Sequence, residues 1–187
     1  SCDFGITILD LDKQEFTETY VVGDAGSTEK VLKTNILDSD IYALTENNIL
    51  IGNTSNNLIN YQNWNKLQIP DPTSKNVDMY LTQNGIYLLK ANNTLYKYAD
   101  NSWTKYKSAI TNLTISNDAI FLTDTANQIS MINGSTETII AENSIDALFD
   151  KSKNTVWFFS NYVLTSKNLS DETYNYFVPN GPESNTS

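Results

Sequence analysis

The stretch Gly85-Ile-Tyr-Leu-Leu-Lys90, Thr94-Leu-Tyr-Lys-Tyr98 and Trp103-Thr-Lys-Tyr106 contains three strand-like runs separated by Asn-rich turns. Within Thr94 to Tyr98 the apolar and polar residues alternate with a period of two. Aromatic and β-branched residues stand where a helix would want Ala, Glu and Lys, so the runs read as strands. Val77-Asp-Met-Tyr-Leu-Thr82 supplies a fourth run just before them.

The same four-part pattern recurs on both sides. Upstream it reads Val31 to Leu37, Ile41 to Thr45, Ile49 to Gly52 and Trp64 to Leu67, with Trp64 matching Trp103. Downstream it reads Leu113 to Ile115, Ala119 to Leu122, Ile129 to Ile132 and Thr138 to Ile140. A last copy comprises Ile145 to Leu148, Val156 to Phe159, Tyr162 to Leu164 and Tyr174 to Phe177. The second-run aromatics Tyr87, Phe121 and Trp157 follow one another at 34 and 36 residues, and Tyr42 precedes Tyr87 by 45. A period of that size suits compact four-stranded blades. The dense run Val156 to Phe159 is expected to be buried on both faces, between neighbouring blades.

Residues 4–23 make only two runs, joined by a polar turn at Asp10 to Gln14. The expected fold is therefore all-β: a β-propeller segment of about four and a half antiparallel blades, within a larger ring of seven. Residues 1–179 form the partial propeller, with a half blade at 4–23 and blades at about 31–70, 77–108, 109–142 and 144–179. Residues 180–187 read as a linker towards a following domain. A half blade leaves an open edge, so a longer chain is expected to supply the rest of the ring.

Composition narrows the function. The 187 residues carry a formal net charge of −10, with no His. All 12 basic residues are Lys. Without His there is no Ser-His or Cys-His nucleophile pair and no imidazole metal ligand. Without Arg there is no bidentate clamp for carboxylate or phosphate. Carboxylate-only glycan chemistry would need an acid pair roughly 5 to 9.5 Å apart, and no feature picks one out. The acidic balance argues against nucleic acid and against direct attraction to anionic lipid. No apolar run is long enough for a transmembrane helix. The chain therefore reads as a non-enzymatic binding scaffold with no catalytic, cofactor-binding or metal-binding residue, no cofactor, and ligand contacts that the sequence leaves unknown.

Individual motifs have simple structural readings. Asp10-Leu-Asp12 and Asp38-Ser-Asp40 lack the spacing and Gly of a calcium loop and read as turn carboxylates. Trp64, Trp103 and Trp157 are the candidates for sugar stacking, but Trp64 and Trp103 share a place in the repeat, which favours packing. The sequons at Asn92, Asn112, Asn133 and Asn168 are what an Asn- and Thr-rich chain contains by chance, and Lys97, Lys105 and Lys107 read as a solvated face. Cys2 has three readings: a lipidated cysteine, a reactive thiol, or a small apolar residue in a strand. The last is favoured. With few Gly, the turns are expected to rely on Asn, as at Asn47-Asn48, Asn56-Asn57 and Asn92-Asn93.

Several phrases carry a family resemblance. Asp3-Phe-Gly-Ile-Thr-Ile-Leu-Asp10, with Glu15, Thr19-Tyr20 and Gly23, resembles a stretch in the first propeller of the PorZ family of the type IX secretion system of Bacteroidota. Ile41 to Thr45, Asn57-Leu-Ile-Asn-Tyr-Gln-Asn-Trp64 and Pro179-Asn-Gly-Pro182 resemble later landmarks of that propeller. The resemblance implies a non-catalytic subunit at the cell surface, outside the outer membrane. There it would work with the sortase-like protease PorU and the barrel proteins PorV and PorQ, assisting attachment of secreted proteins to lipopolysaccharide. It also places Cys2 in a blade strand. The competing expectation is an extracytoplasmic glycan-sensing propeller of a two-component type regulator, since runs such as Val156 to Phe159 recur in such sensors.

Overall fold

The computed structural model describes residues 2–117, 119–133 and 136–178. The Pro179-Asn-Gly-Pro182 phrase and the expected linker lie outside them. Eighteen strands run through these residues. β1 (Ile6–Asp10) and β2 (Glu15–Tyr20) form a two-stranded sheet. Four four-stranded sheets follow. The first holds β3 (Lys33–Leu37), β4 (Asp40–Leu44), β5 (Ile49–Asn53) and β6 (Trp64–Leu67). The second holds β7 (Asn76–Thr82), β8 (Gly85–Lys90), β9 (Thr94–Ala99) and β10 (Ser102–Ser108). The third holds β11 (Ile110–Ser116), β12 (Ala119–Asp124), β13 (Ile129–Asn133) and β14 (Thr136–Ala141). The fourth holds β15 (Ser144–Asp150), β16 (Thr155–Ser160), β17 (Val163–Asn168) and β18 (Tyr174–Phe177). In each, spatial order follows chain order, which makes every sheet an antiparallel meander. The fold is all-β, a propeller segment of four blades and a two-stranded half blade.

The chain divides into two units, Ser1–Ser108 and Ala109–Ser187. In the first, Ile41, Ala43, Leu50 and Trp64 pack against Ile6 and Val22. From the opposite side, Tyr42, Leu44 and Ile49 meet Met79, Ile86 and Leu88 of the next sheet. The alternation of β4 thus feeds two separate interfaces. In the second unit, Ala119, Phe121, Ile129, Met131 and Ile140 pack against Ala147, Val156 and Phe158. Burying one such large apolar side chain contributes about 1.5–3 kcal/mol.

Polar bonds join first strands of neighbouring sheets. In the first unit Lys33 Nζ donates to Asp78 Oδ1 at 2.8 Å, and Asn35 Nδ2 to the Met79 carbonyl at 3.2 Å. In the second, Thr114 Oγ1 donates to Asp146 Oδ1 at 2.8 Å, and Ser116 Oγ both donates to the Phe149 carbonyl and accepts from its N–H. Asp78 and Asp146 hold the same place in the repeat, and each also accepts the N–H of the following residue. Register shifts between Asn76 and Asp78, Ile110 and Asn112, and Ser144 and Ala147 put a bulge at the same point of three first strands. A bulge re-aims the strand without breaking its pairing.

Turns rest on Asn more than on Gly. Asn93, Asn101, Asn117, Asn127, Asn143, Asn154 and Asn161 have positive φ, whereas only Gly5, Gly26 and Gly85 do so among the described glycines. Of the three Asn pairs singled out in the sequence, only Asn93 adopts that conformation; Asn57 and Asn92 instead accept the N–H two residues on.

One sequence expectation is met on one face of its strand, and another is corrected. Val156 to Phe159 is buried on one face only, since Val156 and Phe158 are inside while Phe159 is exposed. Its other face carries Trp157, whose ring centroid lies 5.2 Å from that of Phe177. Tyr162 belongs to the β16–β17 turn and not to β17: with φ of 64° it stands in solvent. A two-residue reversal at Asn161 and Tyr162 needs positive φ, which outweighs the strand preference of Tyr.

Candidate binding site

The carboxylates and indoles singled out in the sequence make turn and packing contacts. Asp10 Oδ1 accepts the N–H groups of Asp12 and Lys13, each at 3.0 Å. Asp40 Oδ1 accepts from Asn53 Nδ2 at 2.7 Å, and Asp38 sits at positive φ in the β3–β4 turn. Among the described residues no three His, Cys, Asp or Glu side chains converge as metal ligands. Trp64 is buried and donates its Nε1 hydrogen to the Leu58 carbonyl at 3.0 Å. Gly52 faces it, and a Cβ there would lie 3.0 Å from the indole and 2.8 Å from Leu58 Cδ2. Trp103 donates to the Gln68 carbonyl at 2.7 Å and leans on Tyr98. Both indoles are therefore occupied in packing and in a hydrogen bond to a backbone carbonyl, Trp64 buried and Trp103 half-buried; Trp157 is half-buried as well.

Lys97 pairs with Thr104, and Lys105 with Tyr96. Since adjacent residues of a strand alternate, Lys97 and Lys105 point to opposite faces of the sheet. Lys97 Nζ lies 5.4 Å from the Tyr87 ring. Cys2 is half-buried in an isolated bridge with Gly5, ahead of β1, and its Sγ donates to the Gly5 carbonyl at 3.2 Å. Among the sequons, Asn112 Nδ2 is engaged by the Ile145 carbonyl at 3.2 Å, and Asn168 Oδ1 caps Ser170 N.

What the sequence did not single out is a cleft in the second unit, about 450 Å³ in volume. One wall is Ile139 to Glu142 of β14 and its exit; the other comprises Phe158, Ser160, Val163, Thr165, Tyr174 and Tyr176. The pairings Phe158 with Thr165 and Thr165 with Tyr176 put these residues on one face of the fourth sheet. The third and fourth sheets meet most closely at their first strands and little at β14, which leaves the wedge. Its mouth is pinned by Ser160 Oγ, which donates to the Glu142 carbonyl at 2.9 Å. Ser144 Oγ donates to the same carbonyl at 3.2 Å.

The cleft is amphipathic. Phe158 and Ile140 form a buried apolar floor, and the Tyr174 and Tyr176 rings stand nearly parallel, 11° apart with centroids 6.4 Å apart. Lys167 Nζ lies 5.3 Å from the Tyr174 ring centroid. Such a surface can bind a ligand with an apolar body and polar or cationic groups. Tyr174 was legible as a strand residue, but its place opposite β14 depends on packing.

Comparison with known proteins places this geometry. A model of the N-terminal β-propeller domain of PorZ, of the type IX secretion system, matches residues 1–65. In structure the chain is similar to PorZ of Porphyromonas gingivalis, a bacterial surface component of that system, with 21% identity and a TM-score of 0.71. The match covers 97% of this chain and 24% of that one, so the chain spans about a quarter of its length. It is also similar to the extracellular domain of the putative one component system BT4673 from B. thetaiotaomicron. There the identity is 17% and the TM-score 0.65, covering 93% of this chain and 25% of that one. The N-terminal domain of Nup159 is similar in fold at 7% identity, with a TM-score of 0.58 over 94% of this chain and 61% of that one. No curated protein matches the sequence. By sequence over its first 65 residues, and by fold over nearly its whole length, the chain is PorZ-like.

Proposed function

We propose that this chain is a non-catalytic interaction scaffold of the type IX secretion attachment complex, working at the cell surface. The observation that carries the reading is the match of residues 1–65 to the PorZ N-terminal propeller domain, joined to a fold likeness covering 97% of the chain. The described residues contain no helix long and apolar enough to cross a membrane. In this reading the scaffold is held at the outer membrane by partner proteins. Those partners are the sortase-like protease PorU and the barrel proteins PorV and PorQ, and the task is attachment of secreted proteins to lipopolysaccharide. With no Arg and a net charge of −10, direct contact with the anionic lipid falls to other parts of the assembly.

The blade boundaries at about 31–70, 77–108, 109–142 and 144–179 belong to the same proposal, as does a larger ring of seven. Trp157 supports it. Phe121 packs onto the following sheet, and Trp157 holds the same repeat position on the fourth sheet. Around it Leu148, Phe159, Leu164 and Phe177 are exposed. This face is suited to burial against further propeller strands.

The test is affinity purification of the intact protein from detergent-solubilised envelopes. Recovery of PorU, PorV and PorQ supports the reading; recovery of the protein without them contradicts it. The likeness to the extracellular domain of a one-component system favours a second reading, a glycan-sensing propeller. A signalling domain in the same gene would support that alternative.

A further inference from the structure

We infer that the cleft between β14 and β18 is a docking site for an extended basic peptide, whose Arg or Lys side chains pair with Glu142 and lie over the Tyr176 ring. Among the described residues Glu142 is the sole charged one of the lining. It is exposed, and among the described residues its carboxylate makes no ion pair and accepts no hydrogen bond. An aromatic wall beside an unpartnered carboxylate attracts a cation by ring quadrupole and charge together.

The fold already contains an example. Tyr174 has the Lys167 ammonium 5.3 Å from its ring centroid, while its near-parallel neighbour Tyr176, more exposed, has no cation among the described residues. The chain itself contains no Arg and is strongly acidic, so a basic partner would be drawn towards it over the range that salt allows.

The backbone fits an extended occupant. Among the described residues β14 and β18 are the outermost strands of their sheets, so each offers an edge with no further described strand beside the cleft. A peptide added along such an edge presents alternate side chains to one side. Two basic residues separated by one small residue would therefore both face the cleft. The apolar parts of their side chains would cover Ile139 and Val163, which also line it.

The experiment titrates the intact protein by calorimetry with acetyl-Thr-Arg-Thr-Arg-Thr-amide, and with the same peptide carrying citrulline at both Arg positions. The arginine peptide is expected to bind, and citrulline to weaken binding about fivefold or more, as loss of an exposed ion pair with ring contact implies. Glu142→Gln and Tyr176→Ala are each expected to weaken it comparably, whereas Glu29→Gln in the other unit leaves it unchanged. Shifts of the Tyr174 and Tyr176 ring protons on adding peptide to the unmutated protein read the same event without relying on variants. Absence of binding, equal binding of the citrulline peptide, an unchanged Glu142→Gln, or ring protons that move only with a neutral oligosaccharide would overturn the inference.

Discussion

Lys90 Nζ donates a hydrogen bond to Asn76 Oδ1 at 2.8 Å, and the lysine is only 1% exposed. Asn76 Nδ2 in turn donates to the Thr45 carbonyl at 3.0 Å, and Asn76 N to the Glu46 carbonyl at 2.7 Å. One side-chain chain therefore ties β8, β7 and the β4–β5 turn together, and an ion pair between Lys75 and Glu46 closes it from outside. Removing Lys90 leaves both a cavity and an unpaired amide oxygen. Lys90→Ala is expected to lower unfolding free energy by about 2–4 kcal/mol and Lys90→Met by less, measured by urea denaturation.

Burial also lowers the Lys90 pKa from its usual value, against the opposing charge of Asp71. The folded protein then binds fewer protons at this site than the unfolded chain between the lowered value and about 10.5. Stability attributable to Lys90 therefore rises with pH through that window. The difference in stability between the native protein and Lys90→Met is expected to shift in favour of the native protein as pH climbs towards 10.5. A difference that stays flat would remove Lys90 from the account.

Carboxylates give the opposite limb. The side-chain hydrogen bond from Ser152 lowers the Asp150 pKa, that from Thr173 lowers Asp171, that from Thr73 lowers Asp71, and that from Lys75 lowers Glu46. Each contributes stability above the ordinary carboxylate range that is lost as pH falls through its depressed folded value. Thermal melts are expected to fall below about pH 4. Asp171→Ala is expected to lower the melting temperature more at pH 7 than at pH 3.

Gly85 has φ of +124°, and a Cβ there would lie 2.1 Å from the Tyr98 carbonyl oxygen. Neither the angle nor the contact can be met by another residue without shifting the β8–β9 pairing. Gly85→Ala is expected to destabilise by about 2 kcal/mol or more, seen as an earlier urea midpoint with an unchanged slope.

If the Trp157 face is covered by further strands, its indole is shielded in the intact protein. Acrylamide is expected to quench Trp157 fluorescence weakly in a version retaining that residue as its lone Trp. Strong quenching would show the face open to solvent.

The repeat was legible because many of the runs of alternating or dense apolar residues are followed closely by Asn or Asp, and because Tyr42, Phe121 and Trp157 recur at matching places. Their partners were not. Tyr42 and Phe121 look alike in sequence to Trp157, yet only the first two have a following sheet of their own unit to pack on. The bulge at Val77 and its counterparts escapes a pattern search because an extra residue in a strand leaves the apolar content unchanged. Lys90 reads as the polar end of a strand, and its burial follows from Asn76 on the adjacent strand, itself bonded to Thr45 in the β4–β5 turn. The cleft joins Glu142 to Tyr176, residues 34 apart in a chain whose local patterns extend over five to seven.

The most direct test of the account is deletion of the gene from its host, followed by measurement of secreted proteins held on the cell surface. A scaffold of the attachment complex predicts that those proteins are lost from the surface and appear unmodified by lipopolysaccharide, with restoration by the intact gene. Surface proteins attached as before would contradict it.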